Sequence, residues 1–134
     1  TGIEHALRCG QTQDTALALV ATGFGYEADR RAAQAELLTK LLPNVRDIRR
    51  IGAAALDLCR VAEGTVDAYF EHGINAWDFA AGAIIAREAG AVVRHPGFDK
   101  GSADGELTWA AGADLAPAFE KLLAAHRATD SLRG

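Results

Sequence analysis

The chain has 134 residues, of which 49% are hydrophobic and 24% charged, with three prolines and a net charge of −4. This composition is typical of one globular domain and excludes an intrinsically disordered chain. Its apolar runs fall short of the roughly 20 residues that a membrane helix needs, and its acids and bases are mixed. We therefore expect neither a membrane nor a nucleic acid as a partner.

The two cysteines, Cys9 and Cys59, are far apart and form no C-x-x-C pair. Cys59 lies in a small, apolar helical pattern, which favours a reduced thiol in the core, although a structural disulfide stays open. The chain does not start with a basic stretch leading into an apolar one, so no signal peptide is expected. These features favour a cytoplasmic location.

The first half of the chain predicts strand, helix and strand in turn. Residues 15–22 form a nearly continuous apolar run whose length fits a buried strand. Residues 27–42 predict a helix that stops at Pro43, and a short strand is predicted over residues 45–50. The apolar residues of this helix recur at helical spacing at Ala28, Ala32, Ala35, Leu38 and Leu42.

The second half continues the alternation. Residues 53–63 predict a compact helix closed by Gly64, and residues 66–71 alternate apolar and polar side chains as a strand does. The remaining segments are a helix over 77–89, a strand over 91–94, a loop over 98–105, a strand over 107–111 and an amphipathic helix over 115–126. This order predicts an α/β domain in which helices cover a sheet.

The start of the helix over residues 53–63 is a candidate binding site. Gly52 precedes Ala53, Ala54 and Ala55, so no large side chain shields the first backbone N–H groups of the helix. An anionic or hydroxyl-bearing ligand could approach these donors closely. The alternative is that Gly52 only makes a turn and the alanines only allow tight packing.

Glu71 ends a predicted strand, and His72 and Gly73 turn the chain away. A charged residue at a strand end often faces the mouth of a cleft in α/β folds, although Glu71 could also be a solvated loop carboxylate. We expect His72, as a lone histidine in a loop, to face solvent.

Asp78 lies in the first turn of a predicted helix, directly after Trp77. The helix dipole favours an acid there, so Asp78 could be a helix cap. It could equally be a carboxylate ligand of magnesium, which prefers a few carboxylates together with waters and phosphate. We expect Trp77 to wedge the turn and fix the Asp78 rotamer.

Four segments carry a resemblance to a known family. Residues 77–90 read W-D-F-A-A-G-A-I-I-A-R-E-A-G and resemble the second signature of the inositol monophosphatase family, W-D-x-A-A-G-x-x-I-x-x-E-A-G. Residues 52–56 and 67–71 resemble its G-S/T-A-A-L and D-A-Y-x-E segments, and residues 21–26 resemble bacterial members. On these segments the chain is identified as a member of the family over about residues 15–125.

The resemblance implies a layered α-β-α sandwich with a mixed sheet and assigns roles to the candidate residues. Asp78 would bind the second catalytic Mg2+ near the substrate ring, and Glu71 would contact substrate hydroxyls. Gly52, Ala53 and Ala54 would contact the substrate through backbone and side chain. Ala53 stands where the family usually has Ser or Thr, which removes a hydroxyl donor and puts substrate affinity or identity in question.

The family's first signature, D-P-I/L-D-G-S/T, and its upstream catalytic Glu are absent from the chain. The resemblance therefore implies that residues 1–134 are the C-terminal domain, with the metal-binding domain upstream. The whole protein would be a magnesium-dependent phosphatase in which the metal activates water, and we expect the chain alone to be inactive.

The resemblance implies inositol monophosphate as the first substrate and a homodimer as the assembly. Fructose bisphosphate, histidinol phosphate and 3′-phosphoadenosine phosphate stay open as substrates. The alternative function is a non-catalytic module for substrate recognition or dimerisation.

Overall fold

The computed structural model describes residues 7–132, in which strands and helices alternate. The strands are β1 (Leu19–Thr22), β2 (Asp47–Arg49), β3 (Ala68–His72), β4 (Ala91–Arg94) and β5 (Leu107–Gly112). The helices are α1 (Ala28–Leu41), α2 (Ala54–Glu63), α3 (Ala76–Glu88) and α4 (Ala116–Ala125), with 3-10 turns at Thr15–Leu17, Leu42–Asn44 and Ser102–Asp104.

The five described strands form one mixed sheet in the order β2-β1-β3-β5-β4. β1 pairs in parallel with β2 and β3, and in this register Val20 lies opposite both Ile48 and Ala68. β5 runs antiparallel to β3 and β4. The carboxyl ends of β1, β2 and β3 therefore meet at one edge of the sheet, which is where α/β folds place ligands.

Helices cover both faces of the sheet, which confirms the α-β-α sandwich with a mixed sheet. On one face, Leu41 of α1 and Phe119 of α4 pack on Phe70 of β3 in one apolar core. On the other face, Leu58 of α2 and Phe79 of α3 belong to a second core. Burial of these two cores stabilises the layers at about 25 cal/mol per Å² of apolar surface removed from water.

Helices α2 and α3 lie unusually close because of a glycine. A Cβ built on Gly82 would lie 2.8 Å from Leu58 Cβ, closer than real side chains approach. The small-residue pattern of α3 thus brings its N-terminus, with Asp78, next to the start of α2.

The first predicted strand is shorter than expected. Residues 15–17 form a 3-10 turn, because the Asp14 side chain accepts a hydrogen bond from Ala16 N at 2.9 Å. The strand itself begins only at Leu19. The other predicted elements are confirmed, with ends that shift by at most two residues.

The apolar side of α1 is not the side that the sequence indicates. Ala28, Ala32 and Ala35 are exposed, whereas Arg30 and Gln34 are buried. The structure buries these polar side chains because they bond backbone groups of neighbouring loops: Gln34 Oε1 accepts from Gly25 N at 2.9 Å and Arg30 Nε donates to Leu132 O at 2.7 Å.

The expectation that His72 faces solvent is wrong. His72 is the last residue of the central strand β3 and is only 2% exposed. Its Nε2 lies 2.6 Å from Ala128 O, so Nε2 carries the proton and donates. The segment after α4 returns over the strand end and covers the ring.

Cys9 and Cys59 are both free thiols and both half-buried, so Cys59 lies at the margin of the core and not within it. Within the described part of the chain, no helix combines the length and the apolar character needed to cross a bilayer.

Candidate active site

The loops that follow β1, β2 and β3 enclose a cleft of about 560 Å³ together with the first turns of α2 and α3. This volume lies in the range of small-molecule sites, about 300–1,000 Å³. The cleft is lined by every residue for which the sequence predicts ligand contact: Gly52, Ala53, Ala54, Glu71 and Asp78. Chain topology thus brings together residues from three separate segments.

The start of α2 presents open backbone donors to this cleft. Gly52 has φ +95°, a left-handed conformation that favours glycine. Ala53 is the N-cap, in extended conformation, and its methyl side chain makes no cap hydrogen bond. Helix N-termini with unpaired N–H groups attract anions and hydroxyl oxygens.

Glu71 lies at the end of β3 and is half-buried, so it is not a solvated loop carboxylate. The buried Tyr69 hydroxyl donates to Glu71 Oε1 at 2.8 Å, which fixes the carboxylate. A Cβ built on Gly23 would lie 2.6 Å from Glu71 Cδ, so glycine at that position leaves room for the carboxylate. Burial, and next the charge of Asp78, raise the pKa of Glu71, while the Tyr69 hydrogen bond opposes them.

Asp78 does act as a cap. Its Oδ2 accepts a hydrogen bond from Asn75 N at 3.0 Å, and Asp78 N donates to the backbone oxygen of Asn75 at 2.9 Å, so two bonds hold Asp78 to the N-cap residue. The Oδ2 bond, rather than Trp77, holds the Asp78 side chain, because Trp77 is 81% exposed and Phe79 is the aromatic residue that enters the core. Oδ1 makes no hydrogen bond within residues 7–132, so capping leaves one carboxylate oxygen for a ligand.

Asp78 is the one magnesium ligand that the sequence predicts, and the described residues form no complete metal site around it. Nowhere in residues 7–132 do three His, Cys, Asp or Glu side chains gather closely enough to hold a metal ion. Mg2+ is usually bound by one or two carboxylates together with phosphate and water. Asp78 alone fits that chemistry in part.

Asp57 is a buried carboxylate behind the cleft that sequence reasoning did not single out. It is 1% exposed, and neither of its oxygens has a hydrogen-bond partner within the described chain. Burial, and next the nearby charge of Glu71, raise its pKa to about 7. The sequence feature that could have identified Asp57 is its position three residues after Ala54, on the apolar side of α2.

Two arginines at the cleft were also missed. Arg50 lies 5.8 Å from the Phe24 ring centroid, and its positive charge lowers the pKa values of Asp57 and Glu71 against larger opposing causes. Arg30 lines the cleft although it is only 6% exposed. The sequence gives no periodic signal for either, because each contacts the cleft from a different loop or helix end.

The model of the inositol monophosphatase family matches residues 2–131. The chain is 60% identical over 92 residues to the inositol-1-monophosphatase of Mycobacterium leprae, covering 69% of this chain and 32% of that protein. It is 47% identical over 88 residues to the Nus factor SuhB of Pasteurella multocida, covering 65% of this chain and 33% of that protein.

Solved structures of similar proteins share the fold of this chain. Mycobacterium tuberculosis SuhB superposes with a TM-score of 0.83 at 46% identity, over 94% of this chain and 49% of that chain. The inositol monophosphatase of Anabaena sp. PCC 7120 superposes with a TM-score of 0.72 at 29% identity, over 89% of this chain and 49% of that chain. The chain thus spans about a third of these curated relatives and about half of these structures.

Proposed function

The chain belongs to the inositol monophosphatase family, and we propose that it is the C-terminal domain of a magnesium-dependent phosphatase that hydrolyses inositol monophosphate or a related polyol phosphate. The main observation behind the proposal is that separate parts of the chain come together at one place. Three segments that are separate in sequence, residues 52–54, Glu71 and Asp78, line one cleft at the carboxyl ends of parallel strands.

In this proposal the chain's own residues bind and orient the polyol. Glu71, held by Tyr69 at 2.8 Å, accepts hydrogen bonds from substrate hydroxyls. The backbone N–H groups at the start of α2 donate to substrate oxygens, since Ala53 provides no side-chain cap. Holding the ring in one orientation is what a recognition domain contributes to catalysis, because it fixes the geometry of attack.

We further propose that Asp78 supplies one magnesium ligand through Oδ1 while Oδ2 keeps the helix capped. The metal would act as a Lewis acid on the phosphate, and its other ligands would come from an upstream domain. The span of the chain, about a third of its curated relatives, supports this division. On this proposal, the chain alone releases no phosphate from inositol monophosphate in the presence of magnesium.

The test compares Asp78→Asn with Asp104→Asn in the longer protein. Asp104 is a matched control because its Oδ2 caps a 3-10 turn by accepting from Gly101 N at 2.8 Å. We expect Asp78→Asn to lower magnesium-dependent phosphate release on the order of 100-fold, as loss of a key electrostatic group does, with the melting temperature nearly unchanged. Asp104→Asn should keep its activity.

Three results would count against the proposal. Activity of Asp78→Asn near wild type at low magnesium would leave Asp78 as a helix cap only. Clear turnover by the isolated 134-residue chain would show that the described residues suffice. Absence of activity in the longer wild-type protein would favour the alternative, a non-catalytic recognition or dimerisation module.

The proposed partners are the upstream domain and a second copy of the protein. Exposed apolar side chains on α2 and α3 support a contact of this kind, since Leu56, Trp77 and Ile84 are each more than half exposed. A cytoplasmic location is part of the proposal, and the two free thiols suit a reducing compartment.

A further inference from the structure

Arg30 is a buried cation at the cleft. It lies in the first turn of α1 and is only 6% exposed. Its Nε donates to Leu132 O at 2.7 Å. A Cβ built on Gly73 would lie 2.9 Å from Arg30 Cζ and would overlap Nη1. The guanidinium therefore fills the space that glycine leaves in the turn between Glu71 and Asp78.

No acid of the described chain neutralises this guanidinium. The ion pairs of residues 7–132 are exposed pairs that involve Arg49, Arg60 and Arg127. Arg30 makes one hydrogen bond to a backbone carbonyl, and its Nη donors have no protein partner there. Arg30 and Gly73 both line the cleft, so these donors lie at its wall.

Neither Nη atom is among the fully buried polar atoms that lack a partner, so water reaches these donors at the cleft wall, and an anion could take the place of that water. The guanidinium fork binds phosphate and carboxylate oxygens through two parallel hydrogen bonds. We propose that Arg30 is a specificity-determining residue that binds an anionic group of the ligand, distinct from the phosphate that is hydrolysed. This inference rests on the proposed function, since it concerns the same cleft.

The consequence concerns substrate class. A cleft with Arg30 in its wall favours ligands that carry a second phosphate or a carboxylate over polyol monophosphates that have no second anionic group. A purely structural role is the competing explanation, because Arg30 Nε also anchors the segment after α4 through Leu132. An experiment must therefore observe the guanidinium itself.

The test titrates the purified 134-residue chain with inorganic phosphate and, separately, with succinate, at constant ionic strength set with chloride. The readout is the Nε–Hε NMR signal of Arg30, assigned from Arg30→Lys. We expect a saturable shift with phosphate, with succinate, or with both, and the stronger of the two identifies the second group. No turnover is needed, so the result does not depend on whether the proposed phosphatase activity holds.

Two variants complete the design. Arg30→Met removes the charge and should weaken anion binding about tenfold or more, the loss expected for one charge-assisted bidentate contact. Arg46→Met is the control, because Arg46 is exposed and does not line the cleft. If Arg30→Met does not fold, the shift of the Arg30 NMR signal in the wild-type chain still tests whether Arg30 binds the anion. An Arg30 signal that does not move at saturating phosphate and succinate, or equal affinities of a folded Arg30→Met and wild type, would overturn the proposal.

Discussion

Asp57 is a carboxylate that the fold buries without a hydrogen-bond partner among residues 7–132. This holds for both of its oxygens, and the residue is 1% exposed. Its pKa rises to about 7, chiefly through burial, from an ordinary value of 3.8. Between these two values the folded chain holds a proton that the unfolded chain has lost, so stability falls as pH rises.

This imbalance predicts a pH-dependent effect of Asp57→Asn. In wild type, ionisation of Asp57 lowers the free energy of unfolding by about 1.4 kcal/mol per pH unit between about pH 4 and pH 7. The neutral amide should remove this fall. Urea denaturation should find the variant roughly 2–4 kcal/mol more stable than wild type at pH 8, where Asp57 is ionised, and similar to wild type near pH 4.

Asp114→Asn is the control, since Asp114 is exposed and its substitution should leave the pH profile unchanged. A variant Asp57→Asn that is less stable than wild type at pH 8 would mean that the ionised carboxylate has a favourable partner in the folded chain.

Some residues of the cleft could be predicted from the sequence, and others could not. Local patterns at strand ends and helix starts made Gly52, Glu71 and Asp78 candidates, the family resemblance decided between the alternatives, and the structure places all three at one cleft. Asp57 and Arg30 were not, because burial of a charged side chain depends on neighbours that are distant in sequence. Arg30, for example, bonds a carbonyl 102 residues away.

At the scale of one element, α2 begins with the wrong residue for a cap. Ala53 has φ −151° and ψ 118°, the extended conformation of an N-cap, but its methyl group accepts no hydrogen bond. Ser at this position would accept from a backbone N–H of the first turn, which typically gains about 1 kcal/mol.

Ala53→Ser should therefore raise the melting temperature of the chain by a few degrees. The control is Ala81→Ser, on the exposed side of α3, where Ser costs a few tenths of a kcal/mol because of its lower helix propensity. Differential scanning calorimetry should thus give shifts of opposite sign. A lower melting temperature for Ala53→Ser would indicate that the N–H groups at the start of α2 already have partners.

The elements themselves were largely predictable, and their orientation was not. Hydrophobic period and turn residues predicted β4 with the bounds that the structure shows, Ala91–Arg94. The buried side of α1 was missed because its apolar residues surround the helix, and packing selects Leu37 and Leu41 together with two buried polar residues. Periodicity cannot distinguish such a side from the exposed alanines.

At the scale of the whole molecule, the segment after α4 closes the structure through backbone groups. Ala128 O pairs with His72 Nε2, Leu132 O with Arg30 Nε, and Leu132 N with Gly105 O at 2.8 Å. Carbonyl acceptors are the same for every residue type, so the sequence of this segment carries no signal for its position. The three-layer fold was predictable from the alternation of elements, but this closure was not.

Two buried titratable groups give the molecule opposing responses to pH. Burial lowers the pKa of His72 below its ordinary value of 6.5. Below pH 6.5 the unfolded chain therefore binds a proton that the folded chain does not, and stability falls as pH falls. Asp57 acts in the opposite direction between about pH 4 and pH 7. Glu71, whose pKa burial also raises, acts in the same sense as Asp57, so in the wild-type chain these effects partly cancel that of His72.

Removing Asp57 should therefore expose the His72 effect. We expect the free energy of unfolding of Asp57→Asn to fall as pH is lowered from 6.5 to 5, where that of wild type changes less or rises. His72→Gln keeps a neutral N–H donor for Ala128 O and should abolish this fall in the double variant Asp57→Asn/His72→Gln. Urea denaturation of the four chains at half-unit pH steps measures both slopes. If stability still falls at low pH in the double variant, the acid-sensitive group lies elsewhere. If the fall is lost, the group is the His72 ring, which is 2% exposed and is covered by the segment after α4. His72 then couples closure of the fold to pH.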